Sequence, residues 1–225
     1  MCNLYSNTMP VEAMRQLFGV SPAQDELGNA EPLPAIFPKG RAPIVGMSED
    51  GTRWLKNSHW GFVLPQVSKK TGKPIQPKAV NNARDDKLRT SSFWRKSFEE
   101  RRCLVPATSF CEAKGRKPAT YVWFGVTGEG DRPPFAFAGI WRPFVGNYGG
   151  EHRELVTSSI VTTTPNELVR ETHPDRMPMI LQPEDYETWL TGDPDMAFDL
   201  IRPYPASAMV VHQQGEDLKS DRAGL

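Results

Sequence analysis

The chain has 225 residues, 38% of them hydrophobic, and its 27 basic and 27 acidic residues balance to zero net charge. That is the make-up of a globular protein long enough for one large core, and no linker or charge run divides it. Three cysteines without a CxxC pair exclude a disulfide framework and a structural zinc site. No apolar run approaches the roughly eighteen residues of a membrane span, and no secretory h-region opens the chain. The expected setting is the cytoplasm, without a membrane partner.

In chain order, Thr8 is placed to cap a short helix in which Val11, Met14, Leu17 and Phe18 share a face, with Pro10 near its start. Strand-like runs then dominate: Leu33–Phe37, Pro43–Met47, Trp60–Leu64, Cys103–Val105, Ser109–Glu112, Tyr121–Val126, Phe135–Trp141, Val156–Thr164, Met179–Leu181 and Ala208–His212. Many are β-branched or aromatic and bounded by Pro or Gly. Helices are expected over Ser92–Arg101, over Asn166–Glu171 after Pro165, and over Glu184–Leu190 after Pro183. The 21 prolines keep elements short. The fold expected is α+β, a single domain over residues 1–225 built on a curved, barrel-like, mostly antiparallel β-sheet with helices at its margins.

Charge is unevenly spread. Between Lys69 and Arg102 lie eleven basic and four acidic residues, a local net charge of +7. A polyanion could use such a surface, and a solvated basic face is the plain alternative. The four histidines are scattered without HxxxH or HExxH spacing, and neither GxGxxG, GxxxxGK[ST] nor GxSxG occurs. No metal and no cofactor is expected.

Cys2 follows the initiator methionine. A small second residue favours methionine removal, which leaves one residue carrying both a free α-amine and a thiol. This 1,2-aminothiol condenses with an aldehyde to an imine, and the thiol then closes a five-membered thiazolidine. An α-amine titrates near ~7.7–8.0 and a cysteine near ~8.5, so both nucleophiles are expected to be partly available at neutral pH. Three further segments carry polar residues in suggestive places. Asn81-Asn82-Ala83-Arg84 follows a basic loop, where asparagine also caps or turns a chain. Ser109-Phe110-Cys111-Glu112 ends an apolar run in an acid, either a general acid/base with raised pKa or an edge carboxylate. His173 precedes a stiff Arg176-Met177-Pro178 turn, as a structural histidine or a proton shuttle.

Taken in order, these segments form a pattern. Cys2, Trp60-Gly61-Phe62-Val63-Leu64-Pro65, Asn82-Ala83-Arg84, the strand to Glu112, Phe137-Ala138-Gly139-Ile140-Trp141, Thr162-Thr163-Thr164 and the His173…Arg-Met-Pro turn succeed one another. The order resembles the SRAP family, the SOS-response-associated peptidase domain, whose members sense abasic sites in single-stranded DNA. The likeness runs from Met1 to about Leu190, with residues 191–225 less typical.

The resemblance implies a catalytic set of Cys2, Asn82, Glu112 and His173. Cys2 would be the covalent nucleophile, Asn82 would position the ring-opened sugar, Glu112 would move protons, and His173 would assist ring opening. DNA contacts are expected from Arg84, Arg176, Arg89, Lys69 and Lys70, with stacking on Trp60, Trp54 or Phe93. The implied activity is covalent capture of abasic single-stranded DNA in the damage response, by a monomer, with lyase and self-processing peptidase side activities. Met-Cys-Asn-Leu replaces the family's usual Met-Cys-Gly-Arg, so residue 4 offers no phosphate contact, and Gln66-Val67-Ser68 lacks the tryptophan often found there. Two rivals predict different behaviour. An N-terminal-nucleophile hydrolase would turn over amides, and a non-catalytic nucleic-acid-binding module would not need Cys2.

Overall fold

A computed structural model describes residues 2–221. Strand β1 (Tyr5–Asn7) is followed by helix α1 (Val11–Phe18), then by β2 (Leu33–Ile36), β3 (Arg41–Met47) and β4 (Arg53–Trp60). A two-stranded ribbon comes next, β5 (Phe62–Val67) and β6 (Pro74–Val80), and the short β7 (Asn82–Arg84) follows at once. Helix α2 (Arg95–Glu100) precedes β8 (Arg102–Ala107), β9 (Ser109–Gly115) and β10 (Ala119–Val126). The long hairpin of β11 (Phe135–Tyr148) and β12 (Glu151–Thr163) leads to α3 (Glu167–Arg170), β13 (Met177–Pro178) and β14 (Ile180–Leu181). Helices α4 (Tyr186–Thr191) and α5 (Pro194–Asp199) and strand β15 (Met209–Glu216) complete the order.

Five strands close into a barrel. β3 pairs antiparallel with β4 and β8, β8 with β11, and β11 with β12. The ring shuts where β12 meets β4 in parallel, Thr157 opposite His59 and Ser158 opposite Trp60. A second, antiparallel sheet runs β15-β10-β9-β1-β2. Because strand side chains alternate, neighbouring residues of the barrel feed two different cores. Val45, Leu55, Leu104, Ala138 and Val161 pack with helices α1, α2, α4 and α5. Ile44, Trp54, Cys103, Phe137 and Ile160 pack with Cys2, Tyr5 and Phe110 from the N-terminal segment and the second sheet. The α+β, barrel-based single domain expected from the pattern is what the structure shows.

Several local expectations change. The run Trp60–Leu64 is two strands, not one, broken at Gly61, where φ is +120° and a Cβ would lie 2.5 Å from that of Ala79. Only glycine allows the chain to leave the barrel for the ribbon at this point. Helix α1 starts after Pro10, not on a Thr8 cap, and Thr8 Oγ1 instead meets Thr108 Oγ1 at 3.3 Å. Leu17 is exposed, so the buried face of α1 is Val11, Met14 and Phe18 alone. Glu112 does not end its strand, since β9 continues to Gly115. What ends there is the buried half of the strand.

Trp60 links the two halves of the fold. Its ring is fully buried, meets Tyr5 edge-on at 4.9 Å, and donates from Nε1 to the Asn81 carbonyl at 3.2 Å. Trp60→Ala should therefore cost about 3–5 kcal/mol, the usual loss for a large aromatic deleted from a core. Urea denaturation of parent and variant checks this, and a loss below about 1 kcal/mol would contradict the packing described.

Candidate active site around Cys2

The N-terminal segment lies inside the protein. Tyr5 pairs with Ile36 on one side and Phe110 on the other, and the Cys111 amide donates to the Leu4 carbonyl at 2.9 Å. Cys2 is fully buried as a result. Its carbonyl accepts two side-chain amides, Asn82 Nδ2 at 2.8 Å and Asn81 Nδ2 at 3.0 Å. The local pattern explains the placement of Asn82. β7 pairs in parallel with β12, Asn82 opposite Ile160 and Ala83 opposite Val161, and the two-residue period sends Asn82 toward Cys2 while Ala83 enters the helix-side core. Asn82 Oδ1, on the same amide group, is buried without a partner among the described residues.

Glu112 reaches the same core by the same rule. It is two residues from Phe110 on β9 and stands opposite Val122, both of which pack with Cys2. Burial pushes its carboxyl up to about 7, against the opposing pull of the chain's terminal ammonium. The Cys2 thiol is held well above its ordinary range, first by burial and then by the negative charge of Glu112. The sequence expectation of a partly ionised thiol is corrected accordingly: in the folded protein the thiol keeps its proton, and a base must take it. Cys103 and Cys111 are also pushed up by burial, Cys111 to about 12.

His173 follows α3, and its Nδ1 accepts from the Arg176 amide at 3.2 Å, which puts the proton of the neutral ring on Nε2. Burial lowers its pKa. His173 lines two adjoining clefts. One, of about 450 Å³, is bounded by Glu112, Leu4, Phe37 and Tyr121. The other, of about 510 Å³, is bounded by Arg84, Asp175 and Arg176. The four residues expected to be catalytic are thus gathered around one place, Cys2 and Asn82 in direct contact and Glu112 and His173 on the wall of one cleft. Asn81, read from the sequence as a turn former, belongs with them.

The basic residues do not form the single surface expected. Arg102 is buried and donates to the carbonyls of Trp189, Phe98 and Gly192. Arg89 pairs with Asp195 at 2.8 Å and lies over the Phe198 ring. Arg84 forms two bonds to Asp86, and Arg176 bridges Asp85 at 2.7 Å and Asp86 at 3.0 Å. Any phosphate bound there competes with carboxylates. Lys69, Lys70, Lys73 and Lys78 belong to the β5–β6 ribbon, which has no acidic residue between Phe62 and Val80 and exposes Val67 and Ile75. Trp60 and Trp54 are buried and present no ring face to a base, whereas Phe37 is 46% exposed on the rim of the first cleft.

Comparison with known proteins identifies the family. Residues 1–220 match the family described as SOS response associated peptidase (SRAP). The chain belongs to the SRAP family. Among its relatives, the abasic site processing protein YoqW of Bacillus subtilis (strain 168) is 35% identical over 174 residues, 76% of this chain and 74% of the relative. YoaM of the same organism, also named an abasic site processing protein, is 30% identical over 210 residues, 87% of this chain and 88% of the relative. A crystal structure of a Bordetella bronchiseptica protein superposes with a TM-score of 0.73 at 22% identity, covering 96% of this chain and 99% of the other. A Bacteroides thetaiotaomicron protein gives 0.71 at 22% identity, covering 96% and 91%. These two show that the fold is shared.

The raised pKa of Glu112 has a stability signature. Below 4.5, the carboxyl's ordinary value, both folded and unfolded chains hold the proton; as pH rises toward about 7 only the folded chain keeps it, so stability falls across that window. Glu112→Gln should lack this component. Denaturation at pH 4.5 and pH 8 should show a smaller loss in the variant than in the parent, and equal losses would contradict a buried, protonated Glu112.

Proposed function

We propose that this SRAP protein captures abasic sites in single-stranded DNA as a covalent thiazolidine on Cys2, once Met1 has been removed. The observation that carries the reading is the pinned Cys2 carbonyl beside a buried carboxyl whose pKa lies near neutrality. The names of the relatives, abasic site processing proteins, supply the substrate class.

The open form of an abasic deoxyribose exposes an aldehyde at C1′. The Cys2 amine adds to that carbon, and its proton passes to the aldehyde oxygen to give a carbinolamine. Glu112, protonated, donates to the hydroxyl, the C–O bond breaks, and water leaves an iminium. The Glu112 carboxylate then takes the thiol proton as sulfur bonds to C1′, which closes the thiazolidine and restores protonated Glu112. A group of pKa near 7 suits both halves of this cycle, and it supplies the base that a buried, protonated thiol requires. Asn82 Oδ1 is an acceptor for the amine or the carbinolamine hydroxyl, and His173 Nε2–H a donor to the ring-opened sugar. Loss of a C2′ proton from the iminium would cut the strand, a lyase side activity. Self-processing would use the same thiol on the Met1 carbonyl.

Noncovalent binding in this reading divides between two places. The second cleft takes a phosphate on Arg84 and Arg176 by displacing Asp85 and Asp86. The Lys69, Lys70, Lys73 and Lys78 ribbon tracks the strand beyond it, with Phe37 rather than Trp60 as a stacking face.

Cys2→Ala and Cys2→Ser should both fail to give a heat-stable adduct with an abasic oligonucleotide, while binding to intact single strands stays within a few-fold. An oxazolidine hydrolyses more readily than a thiazolidine, which is why serine does not rescue. A heat-stable adduct from Cys2→Ala would remove the thiol from the mechanism. For the ribbon, binding of single-stranded DNA should weaken with salt by a log–log slope of roughly −0.7 per phosphate neutralised. Replacing Lys69, Lys70, Lys73 and Lys78 by glutamine should make that slope shallower. An unchanged slope would mean that the strand does not follow the ribbon.

A further inference from the structure

We propose that Asn81 is a positioning residue for aldehyde capture, a second clamp that with Asn82 saturates the Cys2 carbonyl and fixes the main chain carrying the amine and the thiol. The inference rests on the reading that Cys2 is the nucleophile, and it adds a residue that neither the sequence pattern nor the family resemblance singles out.

The geometry separates Asn81 from an ordinary turn former. An asparagine that shapes a turn bonds to main-chain groups within a few residues of itself. Asn81 sits between β6 and β7, yet its Nδ2 bonds to Cys2 O at 3.0 Å and Asn3 Oδ1 at 3.1 Å, across 79 and 78 positions of sequence. Its own main chain is immobilised. The Asn81 carbonyl accepts from Trp60 Nε1 at 3.2 Å and from the Ile160 amide at 3.0 Å, and the Val80 carbonyl before it accepts from Ser159 Oγ at 2.6 Å. The residue is 8% exposed. A donor held this rigidly and aimed at the second residue of the chain acts on that residue.

The chemical consequence follows from the number of lone pairs. A carbonyl oxygen accepts two hydrogen bonds, and the two asparagine amides occupy both positions. The Cys2 amine therefore cannot fold back onto its own carbonyl and is left facing the aldehyde. Rotation about the bonds of Cys2 is restricted at the same time, so amine and thiol keep their relation to Glu112. Losing one of two clamps leaves the residue attached but less well directed, and catalytic steps are sensitive to such misplacement.

Single-turnover crosslinking across a range of abasic oligonucleotide concentrations separates positioning from affinity. Asn81→Ala should lower the maximal rate by about tenfold, about 1.4 kcal/mol of barrier, with the half-saturating concentration within about twofold of the parent. Asn81→Asp keeps the shape without the N–H donor and should be at least as slow, which decides the question even where alanine impairs folding. Asn3→Ala leaves the Asn81 bond to Cys2 intact and should stay within about threefold. The same series is run with glycolaldehyde, a small aldehyde captured without DNA, and should show the same order of rates. A change confined to the half-saturating concentration, or unchanged rates with both probes, would overturn the proposal. If the parent captures glycolaldehyde but not the abasic strand, the substrate reading fails, and the glycolaldehyde rates still decide the role of Asn81.

Discussion

Two side-chain amides on one main-chain carbonyl hold the second residue of the chain inside the protein, and the chemistry proposed for the site depends on that. Chain termini ordinarily fray, because ordering them costs conformational entropy that few contacts offset. Here the strand behind Cys2 is only three residues long, yet it is paired on both sides, and Tyr5 packs edge-on against Trp60 and Phe137. Of the clamp residues, Asn81 joins the ribbon to β7 and Asn82 is the first residue of β7, and the Asn81 carbonyl is tied in turn to Trp60 and Ile160. Barrel, ribbon and terminus therefore meet at one point. A nucleophile that is normally the most mobile part of a chain is as fixed here as a core residue.

Fixing it in the core has an electrostatic cost, and the pKa values express it. Removal from water raises both the Cys2 thiol and the Glu112 carboxyl, and the negative charge of Glu112 further disfavours the thiolate. Near neutral pH the Cys2 thiol and His173 are uncharged, and Glu112 is divided between acid and carboxylate. In the proposed mechanism such a site passes a proton rather than storing a thiolate. The neighbouring arginines obey the same economy of charge. Arg84 and Arg176 are matched by Asp85 and Asp86, so in the proposed reading phosphate binding is an exchange of partners rather than a simple addition.

Much of the fold was legible because the strands obey a two-residue period with Pro and Gly at their ends. Phe135–Trp141 and Tyr121–Val126 lie within strands that the structure extends. Closure of the barrel was not legible, since it depends on a two-pair parallel contact between β12 and β4, a hundred residues apart in the chain. Strand β6 was missed because its alternation is interrupted by prolines and lysines on an exposed ribbon. Among the proposed site residues, Cys2, Asn82, Glu112 and His173 were named from type and order, and the structure gathers them around one place. Asn81 could not be distinguished from a turn former until its partner, distant in sequence, was visible. The same holds for charge: counting lysines and arginines from Lys69 to Arg102 gave one basic face, but Arg89 finds an acid far away, Arg84 one in a neighbouring turn, and Arg102 caps helix ends in the interior. Trp60 stood in a recognisable motif and was assigned to base stacking, whereas its indole is spent on the core.

Peptide mapping by mass spectrometry of the adduct formed with an abasic single strand tests the central claim most directly. The modified peptide should begin at Cys2 with Met1 absent, and its mass should equal peptide plus sugar remnant less one water. An adduct on a ribbon lysine, on Cys103 or Cys111, or on a chain that still carries Met1 would contradict it.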